Sequence, residues 1–487
     1  MHVAASKSIS VEKPNLAASI RRWLILAGVF FVPGYISLRL AAIADPDVYW
    51  HIRTGDWILQ HHAFPRTDPF SVGQSPWIAY SWLFDLICHT AFKLWDLGGL
   101  LVLTVALTLL VGLATFSLVR RFQPDFIKSS LLTVLSLVAM AQLYTPRPWI
   151  FSIVLFAIQL QLLFATRQDG QWRRLLWLLP LYALVANIHV QFVYSLLVLG
   201  LAAAVASIRI IAPRIVRDDQ PPARPAWIVW IACALAPLIN PYGWGIYRVI
   251  AQYATGSVEQ HITEMQAMTF REISHFVALG IVLFAFYVLG KHRVTDPFLW
   301  GLMIFSCYLG FRSVRDVWLA VLTSAAIIAT LTATQAAANY RVSRLQLITA
   351  VLGAAVFIAI VPRPAEVSSP LDRRLASVFP VDAAHYIRQS GLSGPMFNFP
   401  DWGGFLIHYL PEIPVQTDGR TNVHSGQRLQ RSLQTWNASP GWQSDPELAR
   451  ANLIIGSPYL PLTQLLATDP RFKLVYHDDV AHVFVRR

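Results

Sequence analysis

About eleven apolar runs close to the length needed to cross a bilayer recur along the chain, and this feature limits the fold more than any other. They lie near 23–43, 98–119, 129–145, 149–166, 174–189, 192–211, 227–240, 274–290, 297–311, 316–333 and 345–362. In lipid a spanning segment must satisfy its own backbone groups, so each run is expected to be a helix. Composition agrees: 55% of residues are hydrophobic and only 14% charged, which makes the chain an integral membrane protein. Cys88, Cys233 and Cys307 all sit in apolar segments, with neither a metal spacing nor a disulfide framework.

Orientation follows from the basic residues, which are retained on the cytoplasmic side. One alternating set of connections carries about 18 Lys and Arg, among them Lys7, Lys13, Arg120, Arg121, Arg214, Arg217 and Arg341; the other set carries about 9 before the tail. The N-terminus is therefore expected inside, and everything after Val361 outside. The formal charge of +12 does not point to nucleic acid: from Arg363 onward there are 12 Lys plus Arg against 11 Asp plus Glu, so the excess is topogenic. The motif "AIA" before Asp45 resembles a leader-cleavage site. The preceding run is longer than a leader's apolar core and carries Arg39, so it reads as a retained span.

Two parts follow: a helical membrane region, 1–362, with a first outer loop at 44–97, and a small α/β region, 363–487. In the loop, "WIAYSWLFDLICHTAFKLW" repeats Ser81, Asp85, His89 and Lys93 every four residues, a polar stripe on an apolar helix. It is expected to lie in the outer interface, the alternative being a further span. In the tail, "DAAHYIRQSG", "DWGGFLIHYL" and "LTQLLATD" read as helices. "GPMFNFP", "IPVQTDGR" and "ANLIIGS" read as strands, and "FKLVYHDDVAHVFVRR" as a closing hairpin.

Chemistry gathers at the expected outer face. Asp45 and Asp47 stand one residue apart at the end of the first span, too close to it to be freely solvated; His51, a further catalytic candidate, and Asp68 follow. Two such carboxylates suit a shared divalent cation, Mg or Mn, or a general base with an orienting neighbour; the residues leave both open. Arg147, Arg312 and Arg315 fall on connections expected to be poor in positive charge, and their planar forks suit a phosphate. Asn187 and His189 sit near a span end, and Glu259 and Glu264 lie on the long connection 242–273.

The layout "ADPDVYWHIRTGDWIL" followed by "PRTDPFS" and an interfacial helix resembles membrane glycosyltransferases of the GT-C class. Together with "LINPYGWGIYR" and the "DWGGFL…DGR" tail, it looks closest to the rhizobial-type lipopolysaccharide glycosyltransferase group, over nearly the full length. The resemblance implies a bacterial inner-membrane enzyme with a periplasmic site. It implies a polyprenyl-phosphate sugar donor, an inverting displacement with Asp45 or Asp47 as base, and a glycan, lipid or protein acceptor. "NFPDWGGFLIHYLPEIPVQTDGRTN" is similar to the signature of the oligosaccharyltransferase catalytic subunit at Asp401 and Gly403, with Asp418, Gly419 and Arg420 after a strand. Phe399 and Pro400 replace its two Trp, and Trp402 its Tyr, so protein N-glycosylation is not expected. Trp402, Asp418 and Arg420 join Asp68, Asn187 and His189 as candidates for the acceptor or cavity wall, and "HITEM" marks Glu264 as a catalytic candidate. The competing reading is a transport-type or non-catalytic membrane protein of envelope biogenesis. Transporters tend toward internal repeats and mid-membrane charges, whereas here the charges crowd one surface.

Overall fold

Among the described residues, every apolar run is mainly helical. The computed structural model describes residues 16–39, 44–211, 222–255, 263–333, 342–360 and 368–487; Lys7, Lys13, Arg214, Arg217, Glu259 and Arg341 lie outside them. The chain passes through α1 (Leu16–Arg39), α2 (Asp47–His61), α3 (Trp82–Phe122), α4 (Phe126–Ala139), α5 (Trp149–Asp169), α6 (Leu178–Ala186) and α7 (Phe192–Ile211). It continues with α8 (Ala223–Leu235), α9 (Gly245–Thr255), α10 (Ile273–Lys291), α11 (Pro297–Arg312), α12 (Val317–Leu331) and α13 (Arg344–Ile360). Among the described residues, 5 helical segments are long and apolar enough to cross a membrane: Ile20–Ser37, Trp82–Phe122, Trp149–Asp169, Ile273–Lys291 and Val314–Leu331. Shorter apolar helices at α4, α7, α8 and α13 lie between and after them.

Local sequence sets the helix ends. Asp125 and Asp296 cap α4 and α11 by accepting from the Lys128 and Phe298 amides, and Pro297 fills the first turn of α11. Gly170 ends α5 in the left-handed conformation. α12 is buried along almost its whole length and packs against α3, α4, α5, α10 and α11, so it forms the centre of the bundle.

The connections meet on two faces. Arg147, between α4 and α5, reaches Asp45 and Asp47 at the start of α2. His189, between α6 and α7, meets Arg315, between α11 and α12. The Tyr242 hydroxyl, after α8, donates to the Pro65 carbonyl at 2.9 Å. These belong to the set of connections poor in basic residues, and they share one face. At the other ends of the helices, Arg167 of α5 forms a buried ion pair with Asp296, its guanidinium 4.4 Å from the Phe298 ring.

α3 is two helices. The backbone leaves helical geometry at Trp95 and Asp96, where Asp96 has φ 53°, and the apolar stretch from Leu97 runs on alone. The helix begins at Trp82 rather than Trp77, and its polar stripe does not point to headgroups. Ser81 and Asp85 are buried, with Asp85 against α2, and only Lys93 at the far end is exposed. The stripe turned inward because Asp85 has a polar partner there, His51.

The tail contains α14 (Ser368–Ala376), α15 (Val381–Gln389), α16 (Gly403–Tyr409), α17 (Gly426–Trp436), α18 (Pro446–Arg450) and α19 (Pro461–Leu466). Its sheet holds β1 (Met396–Asn398), β2 (Leu453–Gly456), β3 (Phe472–His477) and β4 (His482–Arg486) in the order β1-β2-β4-β3. β1 and β2 are parallel and the other pairs antiparallel. The expected strand "IPVQTDGR" does not join this sheet. Val415 bridges in parallel to Ser71 of the first loop, with Val415 N donating to Phe70 O and Val72 N to Val415 O, each at 3.0 Å. On the β1 side, the Asn398 carboxamide takes the place of a strand neighbour, accepting from Gln416 N and donating to Thr417 O, both at 2.8 Å. This segment therefore fastens the tail to the loop. α2 shares the tail's core: Tyr49 is fully buried, edge-on to Phe379 and Phe405 at 5.5 and 5.6 Å. Burying a side chain of that size stabilises the seam by roughly 2 kcal/mol.

Candidate functional site

Where the loops and the tail converge, a cavity of about 670 Å³ opens. Its wall is assembled from α2, the Arg147 connection, the turn before α7, α9, the segment around Glu264, the Arg315 connection and the tail. Eight of the sequence candidates line it: Asp47, His51, Glu264, Arg147, Arg315, His189, Asp418 and Arg420.

Asp47 opens α2 and is nearly buried. Its carboxylate pairs with Nη1 of Arg147, whose Nε lies 2.5 Å from Asp45 Oδ2. Burial pushes the Asp47 carboxyl up to about 6, against the pull of Arg147 and with a further push from Asp45. Burial would lower Arg147, but Asp45 and Asp47 outweigh it and hold the guanidinium well above its ordinary value. The two carboxylates thus converge on one guanidinium, which stands where a cation shared between them would sit. Gly419 lies against Asp47, and a Cβ there would overlap the carboxylate. Gly404, at the start of α16, meets the Pro46 carbonyl just as closely, so the "DWGG" and "DGR" stretches are where the tail's backbone closes on the head of α2.

Beside this pair stands Arg315. It lies 3.5 Å from Glu264 and 3.3 Å from Nε2 of His189, whose Nδ1 meets Ser152 Oγ at 3.0 Å. The Arg315 Nε is buried with no hydrogen-bond partner among the described residues, the condition of a site short of an acceptor. Trp149 lies between the cations, with the Arg147 and Arg315 guanidinium carbons 5.3 and 5.0 Å from its ring centre.

A second charged cluster closes the floor. Arg420 binds Asp68 at 2.7 and 3.2 Å and Asp418 at 2.8 and 2.7 Å, and His424 meets Asp418 at 2.9 Å. All four are buried. Burial pushes Asp418 upward, but Arg420 and His424 overcome it and hold the carboxyl well below the usual carboxylate range. Asp68 is therefore a clamp behind the wall, joining the first loop to the tail.

The remaining candidates stand outside the lining. Asp45 stands behind the lining and holds two of its residues, Arg147 through the ion pair and Asp47 through its amide, which donates to Asp45 Oδ1 at 3.1 Å. Asn187 is consumed structurally, accepting from Trp82 Nε1 at 2.7 Å and donating to the Ala183 and Ile239 carbonyls. Trp402 packs edge-on to Phe399 at 5.6 Å, and its neighbour Asp401 faces the cavity instead. Arg312 is exposed and apart from the lining, so of the two arginines in "FRSVRDVW" only Arg315 turns inward. Sequence reasoning did not single out Trp149, Tyr80, Tyr253, Gln142, His275 or His424. The Tyr253 hydroxyl joins Tyr80 at 3.2 Å and Thr421 at 2.9 Å, and no local spacing announces a contact between residues so far apart in sequence.

The sequence matches no family model, and no curated protein matches it. Solved structures do match in fold. The Archaeoglobus fulgidus oligosaccharyltransferase, in its apo form and tethered with an acceptor peptide containing the NVT sequon, superposes with a TM-score of 0.51 at 10% identity. The match covers 89% of this chain and 69% of that one. ArnT from Cupriavidus metallidurans in the apo state gives a TM-score of 0.48 at 13% identity, over 96% of this chain and 98% of that one. Both are GT-C glycosyltransferases. From the oligosaccharyltransferase superposition, the chain has a GT-C-like fold.

Proposed function

We propose that the protein is a membrane glycosyltransferase that moves a sugar from a lipid-phosphate donor to an acceptor hydroxyl, with inversion at the anomeric carbon. The observation that carries this reading is the cavity itself: a buried carboxylate raised toward neutrality, Asp47, faces the same space as Arg147 and the under-satisfied Arg315. A carboxyl near 6 is ionised at pH 7 yet basic enough to take a hydroxyl proton as the bond to carbon forms. The leaving group is an anionic phosphate, and Arg315, with Arg147 beside it, supplies fixed positive charge where that negative charge gathers. Arg147 between the two carboxylates favours a guanidinium over a Mg or Mn ion in this role. His189 orients Arg315 from one side and Glu264 from the other. The GT-C-like fold supports the same class of chemistry.

In this reading the cavity face is periplasmic, the eleven helical runs all cross a bacterial inner membrane, and the acceptor is a glycan, a lipid or a protein. The test is direct. Purified protein in liposomes is given a radiolabelled polyprenyl-phosphate sugar and envelope acceptors, and label should pass to an acceptor. Label left on the donor with every acceptor, while the donor binds, would remove the transferase reading.

A further inference from the structure

α2 places Asp47 and His51 one turn apart, and both face the cavity. One edge of the His51 ring is fixed from behind. Its Nδ1 lies 2.5 Å from Oδ1 of Asp85, a residue of α3 outside the cavity lining. His51 is 1% exposed and Asp85 0%. Gly55, two turns beyond Asp47, packs on the Asp85 carbonyl with no room for a Cβ, so the backbones of the two helices are in close contact beside this pair. Asp85 has few other partners: Ser81 Oγ is 3.4 Å from the same oxygen, and Oδ2 has none among the described residues.

The number of protons in this pair decides what His51 shows the cavity. If it holds one, Asp85 is a fully buried anion with an unsatisfied oxygen and no countercharge on the ring, an arrangement that burial penalises. If it holds two, either an imidazolium faces a carboxylate, or a carboxylic acid donates to Nδ1 of a neutral ring. In both two-proton states the other ring nitrogen, Nε2, carries a hydrogen. We propose that Asp85 is a positioning residue that keeps Nε2 of His51 protonated, so that His51 presents the cavity with an N–H donor for a phosphate oxygen of the substrate. His51 is then a phosphate contact and not a second base. The phosphate assignment rests on the glycosyltransferase reading, whereas the proton assignment does not. Arg147, His189 and Arg420 are the other basic groups around the ring.

The experiment uses the whole protein labelled with ¹⁵N-histidine in lipid nanodiscs at neutral pH, with His51→Gln identifying the His51 signals. A protonated Nε2 is expected. Its signal should move when a short-chain prenyl phosphate is added, and stay still with the prenol of the same chain. Asp85→Leu, which keeps the volume and removes the partner, should release the ring to a mixture of tautomers and weaken prenyl phosphate binding about tenfold, the worth of one hydrogen bond. An unprotonated Nε2 in the wild-type protein would overturn the proposal without any variant. A protonated Nε2 indifferent to prenyl phosphate would overturn the contact. If the signal moves but no sugar transfer is found with any acceptor, the proposal stands and the transferase reading fails.

Discussion

In the proposed reaction, Asp47 is the residue on which the chemistry turns. Asp47→Asn should lower transfer at least ~100-fold, the usual cost of losing a general base, while donor binding persists. Full activity in this variant would move the base elsewhere. Burial holds the carboxyl at about 6 against an ordinary value of 3.8, so kcat/KM should fall as pH drops through about 6, where the proposed base becomes protonated. Stability moves oppositely. A carboxyl whose folded pKa is raised contributes most below its unfolded value and loses that contribution as pH rises through 3.8 to about 6. An acid limb in activity is therefore not unfolding caused by this group, and thermal melts across the same range separate the two. Because Arg147 stands between Asp45 and Asp47, EDTA should leave transfer intact; loss reversed by Mn or Mg would place a cation there instead. At the phosphate end, activity should fall in the order wild type, Arg315→Lys, Arg315→Ala, as the fork and then the charge are lost. Arg312→Ala should be close to silent, since Arg312 stands outside the cavity lining. The reverse pattern in a detergent assay with a water-soluble short-chain donor would transfer the role to Arg312.

At the scale of elements, the site depends on how tightly the tail is held to the first loop. Arg420 is buried between Asp68 and Asp418, so Arg420→Met leaves two buried carboxylates without their cation. Breaking such a cluster costs about 3–5 kcal/mol. Limited proteolysis should then cut between the membrane region and the tail far faster than in the wild type; unchanged cutting would show that the Val415–Ser71 bridge and the Tyr49 seam hold the tail by themselves. Much of this scale was legible in the sequence. Apolar runs announced the helices, because lipid leaves a buried backbone no other solution. Turn residues and alternation announced β1, β2 and the β3–β4 hairpin. The segment around Val415 was misread because its alternation is real but its partner, Ser71, lies in the first loop. Asp85 was misread because a polar stripe on an apolar helix looks the same whether it faces headgroups or a histidine. The bare candidates Asp47, Arg147 and Arg315 could be named from position and charge, yet only the fold separates Arg315 from Arg312, or His189 from Asn187.

For the whole molecule, the connections poor in basic residues share one face with the cavity and the tail. Tags in 335–341 and at Arg487 should therefore report opposite sides of the membrane, the tail on the periplasmic side. A cytoplasmic tail would put the cavity on the wrong side for an external acceptor. The central claim, inverting transfer from a lipid-phosphate donor with Asp47 as base, is tested most directly by the anomeric configuration of the product in a single turnover of donor-loaded protein. The expected result is one product of inverted configuration, formed by the wild type and lost in Asp47→Asn with donor still bound. A product of retained configuration, or an inverted product formed equally fast by Asp47→Asn, would contradict it.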